Sequence, residues 1–91
     1  MSISRAERRK EREPRVFALY GKDASAALDL LELLELAWHD CYGEITPADA
    51  VVDDALVLSE GTLSGLVLAC RLAVMDWRDL RVAADHIRAR P

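Results

Sequence analysis

The segment between Asp23 and Gly43 constrains the fold most, because it carries the clearest helical periodicity in the chain. At about 100° per residue, one arc collects apolar side chains: Ala27, Leu30, Leu31, Leu34, Ala37, Trp38, Cys41 and Tyr42. The opposite arc collects polar ones: Ser25, Asp29, Glu32, Glu35, His39 and Asp40. Asp is a favoured N-cap and Gly a favoured residue just after a helix. The pattern predicts an amphipathic helix over about 24–42, with the acidic arc in solvent and Leu28 and Leu36 outside the core.

The next segment carries the start and stop signals of two further helices. Thr46 is predicted to be an N-cap, with Pro47 in the first helical position, and Gly61 is typical of a helix end. These signals predict a helix over about 47–60. Thr62 is placed to cap a following helix over about 63–75. Gly65 is interpreted as a close contact between helices. The predicted inner face of the first of these helices consists of Ala48, Val51, Val52, Ala55, Leu56 and Leu58, and its outer face of Asp49, Asp53, Asp54 and Glu60.

The helix from Leu63 carries two apolar stripes. One stripe consists of Leu63, Leu66, Val67, Cys70, Ala73, Val74 and Trp77, and the second of Leu68, Leu72 and Met75. If this helix continued unbroken, its periodicity would place Arg81 within the first apolar stripe. Asp76 and Asp79 also form a pattern that can cap a new helix. A break near Asp76 and a last helix over about 77–89 are therefore predicted. Its inner face consists of Trp77, Leu80, Ala83, Ala84 and Ile87.

The N-terminal segment differs from the rest of the chain in charge. Residues 1–15 carry a net charge of +3 and the remaining residues −7, within an overall charge of −4. Ser4 and Glu7 form a capping-box pattern for a helix over about 5–13, and Pro14 is predicted to break or kink the chain. Residues 15–20 are apolar and short, and a helix is favoured over a strand. The predicted organisation is a basic N-terminal arm over 1–15 and a single helical domain over 16–91.

Together these patterns predict an all-α fold, a compact bundle of about four core helices preceded by a charged N-terminal helical arm. Arginine outnumbers lysine ten to two, and Asn and Gln are absent, a bias typical of high-GC bacterial genomes. No secretory signal or membrane span is recognisable, which favours a cytoplasmic protein. Cys41 and Cys70 are then expected to be free thiols.

Catalytic and metal-binding chemistry finds little support in the sequence. The residues that could ligate a metal are His39, Cys41, Cys70 and His86. His39 and Cys41 fall on opposite faces of their helix, and the chain has no C-x-x-C or H-x-x-x-H spacing. No catalytic residue, cofactor or metal is therefore predicted, and an enzyme is disfavoured.

Apolar residues beyond those needed for a small core favour a protein–protein interaction or assembly module. The candidate interface residues are Leu28, Leu36, Leu68, Leu72, Met75 and Val82. The expected partner is a second copy, as a homodimer, or a larger protein, with no membrane contact.

The alternative is a nucleic-acid-associated regulator that uses the basic arm. Its candidate contacts with an anionic partner are Arg5, Arg8, Arg9, Lys10, Arg12 and Arg15. Glutamates within the arm dilute its positive charge. The helix–turn–helix-like segment over 47–75 also lacks a basic outer face, so this alternative ranks second.

Overall fold

Four α-helices account for most of the chain in a computed structural model, which describes residues 3–91. They are α1 (Arg5–Tyr20), α2 (Ala24–Tyr42), α3 (Asp49–Ser59) and α4 (Leu63–Arg88). A short 3₁₀ turn, Gly21–Asp23, joins α1 to α2. The described residues contain no strand, so the predicted all-α bundle with a charged N-terminal helix is confirmed. No helix in this range is long and apolar enough to cross a membrane.

Helix α1 begins as predicted but does not stop at Pro14. The Ser4 hydroxyl accepts from the Glu7 backbone N–H at 3.2 Å, and the Glu7 carboxylate accepts from the Ser4 N–H at 3.4 Å. The helix then continues through Pro14 to Tyr20, so the predicted break is wrong and the predicted helical conformation of 15–20 is confirmed. Proline removes one backbone hydrogen bond, and burial of Val16 and Tyr20 beyond it holds the helix on the core.

The break predicted near Asp76 is confirmed. Asp76 has extended backbone angles (φ −162°, ψ 95°) inside α4, and its carboxylate accepts from the backbone N–H groups of Arg78 and Asp79 at 3.0 and 3.4 Å. The two predicted segments 63–75 and 77–89 are thus the two parts of one bent helix. The Tyr42 hydroxyl donates to the Val74 carbonyl at 2.8 Å, which satisfies an acceptor beside the bend.

The core lies where all four helices meet. Its large buried apolar side chains include Val16, Leu31, Leu34, Leu56, Leu66 and Leu80. Leu28 is also buried, which corrects its predicted place outside the core, because α1 covers the side of α2 that carries it. Trp77 was predicted to be buried but is 40% exposed, since it directly follows the bend and lines a cavity with Trp38.

The turn between α2 and α3 differs from prediction in its cap. Gly43 ends α2 in the left-handed conformation (φ 76°), as predicted. Helix α3, however, begins at Asp49 with Ala48 as its N-cap, so the predicted start at Pro47 with a Thr46 cap is wrong. The Thr46 hydroxyl instead donates to the Glu35 carboxylate at 2.9 Å.

The turn between α3 and α4 has the cap and the close helix contact that were predicted from the sequence. The Thr62 hydroxyl accepts from the Gly65 N–H at 3.0 Å, as a helix cap should. A Cβ added to Gly65 would lie 2.3 Å from the Ser59 carbonyl oxygen, which confirms the predicted close contact. The two helices therefore approach each other at a position that admits only glycine without rearrangement.

Candidate functional site

The basic residues of α1 converge on one buried carboxylate. Glu35 in α2 is 1% exposed and accepts from the guanidinium groups of Arg8 and Arg12, the latter at 3.2 Å. Arg5 lies 3.7 Å from the same carboxylate, and the Thr46 hydroxyl completes the set. The prediction that Glu35 faces solvent is therefore wrong. We call Glu35, Arg5, Arg8, Arg12 and Thr46 the Glu35 cluster.

The electrostatics of the Glu35 cluster favour the ionised carboxylate. Burial alone would raise the pKa of Glu35, but hydrogen bonds from Arg8 and Thr46 and the charge of Arg12 outweigh it and lower this pKa. The same hydrogen bond raises the pKa of Arg8 despite its burial. An uncompensated charge here would be costly, so the cluster joins α1 firmly to α2.

The remaining candidate contacts of the basic segment are also largely engaged within the chain. Arg9 lies 2.7 Å from Asp29 and 3.0 Å from Glu32, and Arg15 pairs with Asp53 on α3. Five of the six predicted contacts with an anionic partner have an acidic residue within 4.0 Å. Lys10 is the one that has none among the described residues. The positive charge of the segment is thus directed at acidic residues of α2 and α3.

The Glu35 cluster was missed because periodicity assigns Glu35 to a polar arc. The signal that could have revealed it is the spacing of Arg5, Arg8 and Arg12. Residues three and four apart lie on the same side of a helix, so these arginines form one basic stripe on α1. A basic stripe on a helix adjoining an acidic helix predicts a charged interface between them.

A second cluster of charges joins α3 to the C-terminal part of α4. Asp54 is 2% exposed, which corrects its predicted outward position, and accepts from Arg81 at 2.8 Å. Arg88 contacts both Asp54 and Asp53 at 2.8 and 2.7 Å. Burial tends to raise the pKa of Asp53, but Arg15 and Arg88 lower it overall. This cluster is also internal, because both of its acids are paired with arginines of the same chain.

An apolar groove of about 350 Å³ runs between α2 and the first part of α4. From α2 it is lined by Leu30, Leu33, Leu34 and Ala37. From α4 it is lined by Val67, Cys70, Arg71, Val74 and Met75. Burial raises the pKa of the Cys70 thiol to about 11, so this cysteine is protonated at neutral pH. Arg71 is the groove's one charged residue.

The groove is bordered by large apolar side chains in solvent. Leu33 is 59% exposed, Val67 49% and Met75 67%. Leu68, 64% exposed, precedes Arg71 and Met75 by three and seven residues and therefore shares their side of α4. We call the groove together with Leu68 the α2–α4 face.

The candidate interface residues do not form one surface. Met75 and Leu68 lie on the α2–α4 face, while Leu28 is in the core and Leu72 is half-buried against it. Leu36 is 45% exposed on α2, and Val82 is 56% exposed beyond the bend. The face instead includes Leu30, Leu34, Ala37, Val67, Cys70 and Val74, which were predicted to be inner-face residues. Periodicity could not separate a flank that borders the core from the core itself.

A smaller cavity of about 310 Å³ lies beside the bend of α4. Trp38, Tyr42 and Trp77 supply aromatic walls, and Glu44, Asp54 and Arg81 supply charged ones. The Trp38 indole N–H donates to Glu44 at 3.1 Å, and Asp54 is held by Arg81. Glu44 is therefore engaged by Trp38, and Asp54 by Arg81.

The residues considered for metal binding are dispersed. Cys41 is exposed near the end of α2, whereas Cys70 is half-buried in the groove. Within residues 3–91, no group of three or more His, Cys, Asp or Glu side chains is placed to hold a metal ion. Comparison of the chain with protein-family models, curated proteins and solved structures finds no match.

Proposed function

We propose that this protein is a non-enzymatic protein–protein interaction module and that its α2–α4 face is the contact surface. The observation that carries the proposal is the concentration of exposed Leu33, Val67, Leu68 and Met75 around one apolar groove. Single exposed apolar residues are ordinary on protein surfaces, whereas a contiguous group marks a site of contact.

The shape of this face suits a protein partner. The groove accepts apolar side chains, and each methylene buried there contributes roughly 0.8 kcal/mol. Arg71 beside the groove can orient the partner through an ion pair, because charged groups at the edge of an interface contribute specificity. A concave apolar centre with one charged group at its side is the composition expected of an interface core and rim.

The alternative of nucleic-acid binding by the basic segment is less favoured. A phosphate would have to compete with Glu35 for Arg8 and Arg12, whose side chains are 10% and 15% exposed. Contacts with phosphate need accessible cations that release counterions on binding. The raised pKa of Cys70 also disfavours a thiolate nucleophile in the groove.

Site-specific photo-cross-linking tests the interaction function. A photoreactive amino acid is placed at Leu33 on the α2–α4 face and, as the matched control, at Phe17 on α1, which is 55% exposed. In cells, irradiation is expected to give a discrete covalent adduct from Leu33 and none from Phe17. Equal adducts from the two positions, or none from Leu33, would contradict the proposal.

A further inference from the structure

We propose that a second copy of this chain occupies the α2–α4 face, in a two-fold symmetric dimer in which Arg71 of each protomer pairs with Asp40 of the other. The proposal rests on the interaction function above and names its partner. Three features carry it: the apolar face itself, an arginine on it that has no ionic partner within residues 3–91, and an exposed acid on the adjoining side of α2 that pairs with no arginine or lysine in that range.

Arg71 stands out among the ten arginines. Eight of the others lie within 4.0 Å of an acidic group, as the two charge clusters and the Arg90–Glu60 pair illustrate. Arg78 stacks over the Trp77 ring at 5.3 Å. Within residues 3–91, Arg71 alone among the arginines has neither kind of partner. It lies beside an apolar groove, where an unpaired cation would lose water when a partner binds.

Asp40 provides the matching acid. It follows Leu33 by seven residues, which places the two side chains within about 20° of each other around α2. The Asp40 side chain is 86% exposed, and its one ion-pair contact among the described residues is His39 at 4.0 Å. The outward side of α2 next to the groove thus presents an apolar residue and, two turns further on, an exposed carboxylate.

Two-fold symmetry turns these features into a self-complementary surface. In such a dimer, when Arg71 of one copy contacts Asp40 of the other, symmetry creates the reverse pair as well, so one base and one acid give two equal contacts. A different protein partner would require only an acid opposite Arg71, whereas a second copy supplies that acid from its own Asp40. Leu33, Leu68 and Met75 then supply apolar area between the two charge contacts.

Charge reversal provides a sharp test, read by analytical ultracentrifugation of the full chain. Wild type is expected to be a dimer. Arg71→Asp and Asp40→Arg each place like charges in both contacts, so each variant alone should dimerise at least about tenfold more weakly. An equimolar mixture of the two variants restores opposite charges in both contacts of the heterodimer. In one contact the two altered side chains meet, and in the other the two unaltered side chains meet. The mixture is therefore expected to form heterodimers with nearly the wild-type affinity.

Control reversals outside the face are Lys22→Asp and Glu11→Arg, which should leave the dimer unchanged. Circular dichroism should show that all variants remain folded, since every altered side chain is exposed. The dimer proposal is overturned by a monomeric wild type at up to about 1 mM, the limit of weak specific association. It is equally overturned by single variants that dimerise like wild type, or by a mixture that remains monomeric.

The cross-linking experiment separates failure of this proposal from failure of the interaction function. An adduct at Leu33 with the mass of two chains supports the dimer. An adduct with a different protein, together with a monomeric wild type, overturns the dimer and leaves the interaction function standing. The absence of any adduct contradicts both.

Discussion

Replacing Glu35 with glutamine should destabilise the fold strongly, although the change keeps the size of the side chain. Glu35 is 1% exposed and is the shared acceptor of Arg8, Arg12 and the Thr46 hydroxyl. The glutamine amide removes the negative charge and places an NH₂ group among guanidinium groups. Three arginines would then face one another without a compensating charge.

The magnitude follows from burial. Removing one member of a buried ion pair costs roughly 3–5 kcal/mol in the free energy of unfolding. Arg5 is half-exposed and keeps part of its water, so the lower end, about 3 kcal/mol, applies here. A domain of this size is stable by about 5–14 kcal/mol, so the variant should lose a substantial fraction of its stability.

Urea unfolding followed by far-ultraviolet circular dichroism measures this cost as a lower midpoint at unchanged slope. The matched control is Glu32→Gln on the same helix. Its partner Arg9 keeps Asp29 at 2.7 Å, and the Glu32 side chain is 32% exposed, so its loss should cost under about 1 kcal/mol. Equal costs for the two variants would refute the role assigned to the Glu35 cluster.

Three further predictions concern pH and packing. Because the pKa of Glu35 is lower in the folded chain than its unfolded value of 4.5, its contribution to stability is present above pH 4.5 and is lost as the pH falls through the folded pKa. The difference in urea midpoint between wild type and Glu35→Gln should therefore shrink on acidification, and a constant difference would contradict this linkage. Gly65→Ala should cost about 1–3 kcal/mol in thermal or urea unfolding, because the added Cβ would meet the Ser59 carbonyl oxygen and backbone must shift. Leu34→Ala should cost about 2–5 kcal/mol because Leu34 is buried, whereas Leu36→Ala, at a half-exposed position, should cost under about 1 kcal/mol in the monomer.

The sequence predicted those parts of the fold that depend on local chemistry. The Ser4 and Thr62 caps, the Gly43 helix end and the break at Asp76 each need only neighbouring residues, and each was found where expected. The Gly65 contact was likewise foreseeable from a glycine inside a helix. These features are determined within a few residues, so one sequence is enough to locate them.

Features that depend on how the helices pack against one another could not be predicted in the same way. Glu35 and Asp54 fall on polar arcs, and only the packing of α1 on α2 and of α4 on α3 buries them. Thr46 has the chemistry of a helix cap, but the buried carboxylate competes for its hydroxyl. Pro14 would end an isolated helix, and the burial of Val16 beyond it overrides that preference.

The candidate site shows the same division. An apolar surplus on α4 was evident from sequence, and Met75 and Leu68 do lie on the α2–α4 face. The residues that α2 contributes to this face could not be predicted. Leu30 and Leu33 differ from core leucines only in whether another helix packs over them. The proposed contact between Arg71 and Asp40 rests on Arg71 being the one arginine within residues 3–91 that has neither an acidic partner nor an aromatic ring over it, which only the structure reveals.

The uneven distribution of helix contacts has a consequence for the order of folding. Helices α3 and α4 are adjacent in sequence and share the largest interface, whereas α1 has a smaller interface with α2 that includes several ion pairs. Local apolar contacts form early at low entropic cost, so the α3–α4 hairpin is expected to nucleate folding and α1 to dock late. Changes in the hairpin should then slow refolding, while loss of the Glu35 cluster should mainly accelerate unfolding.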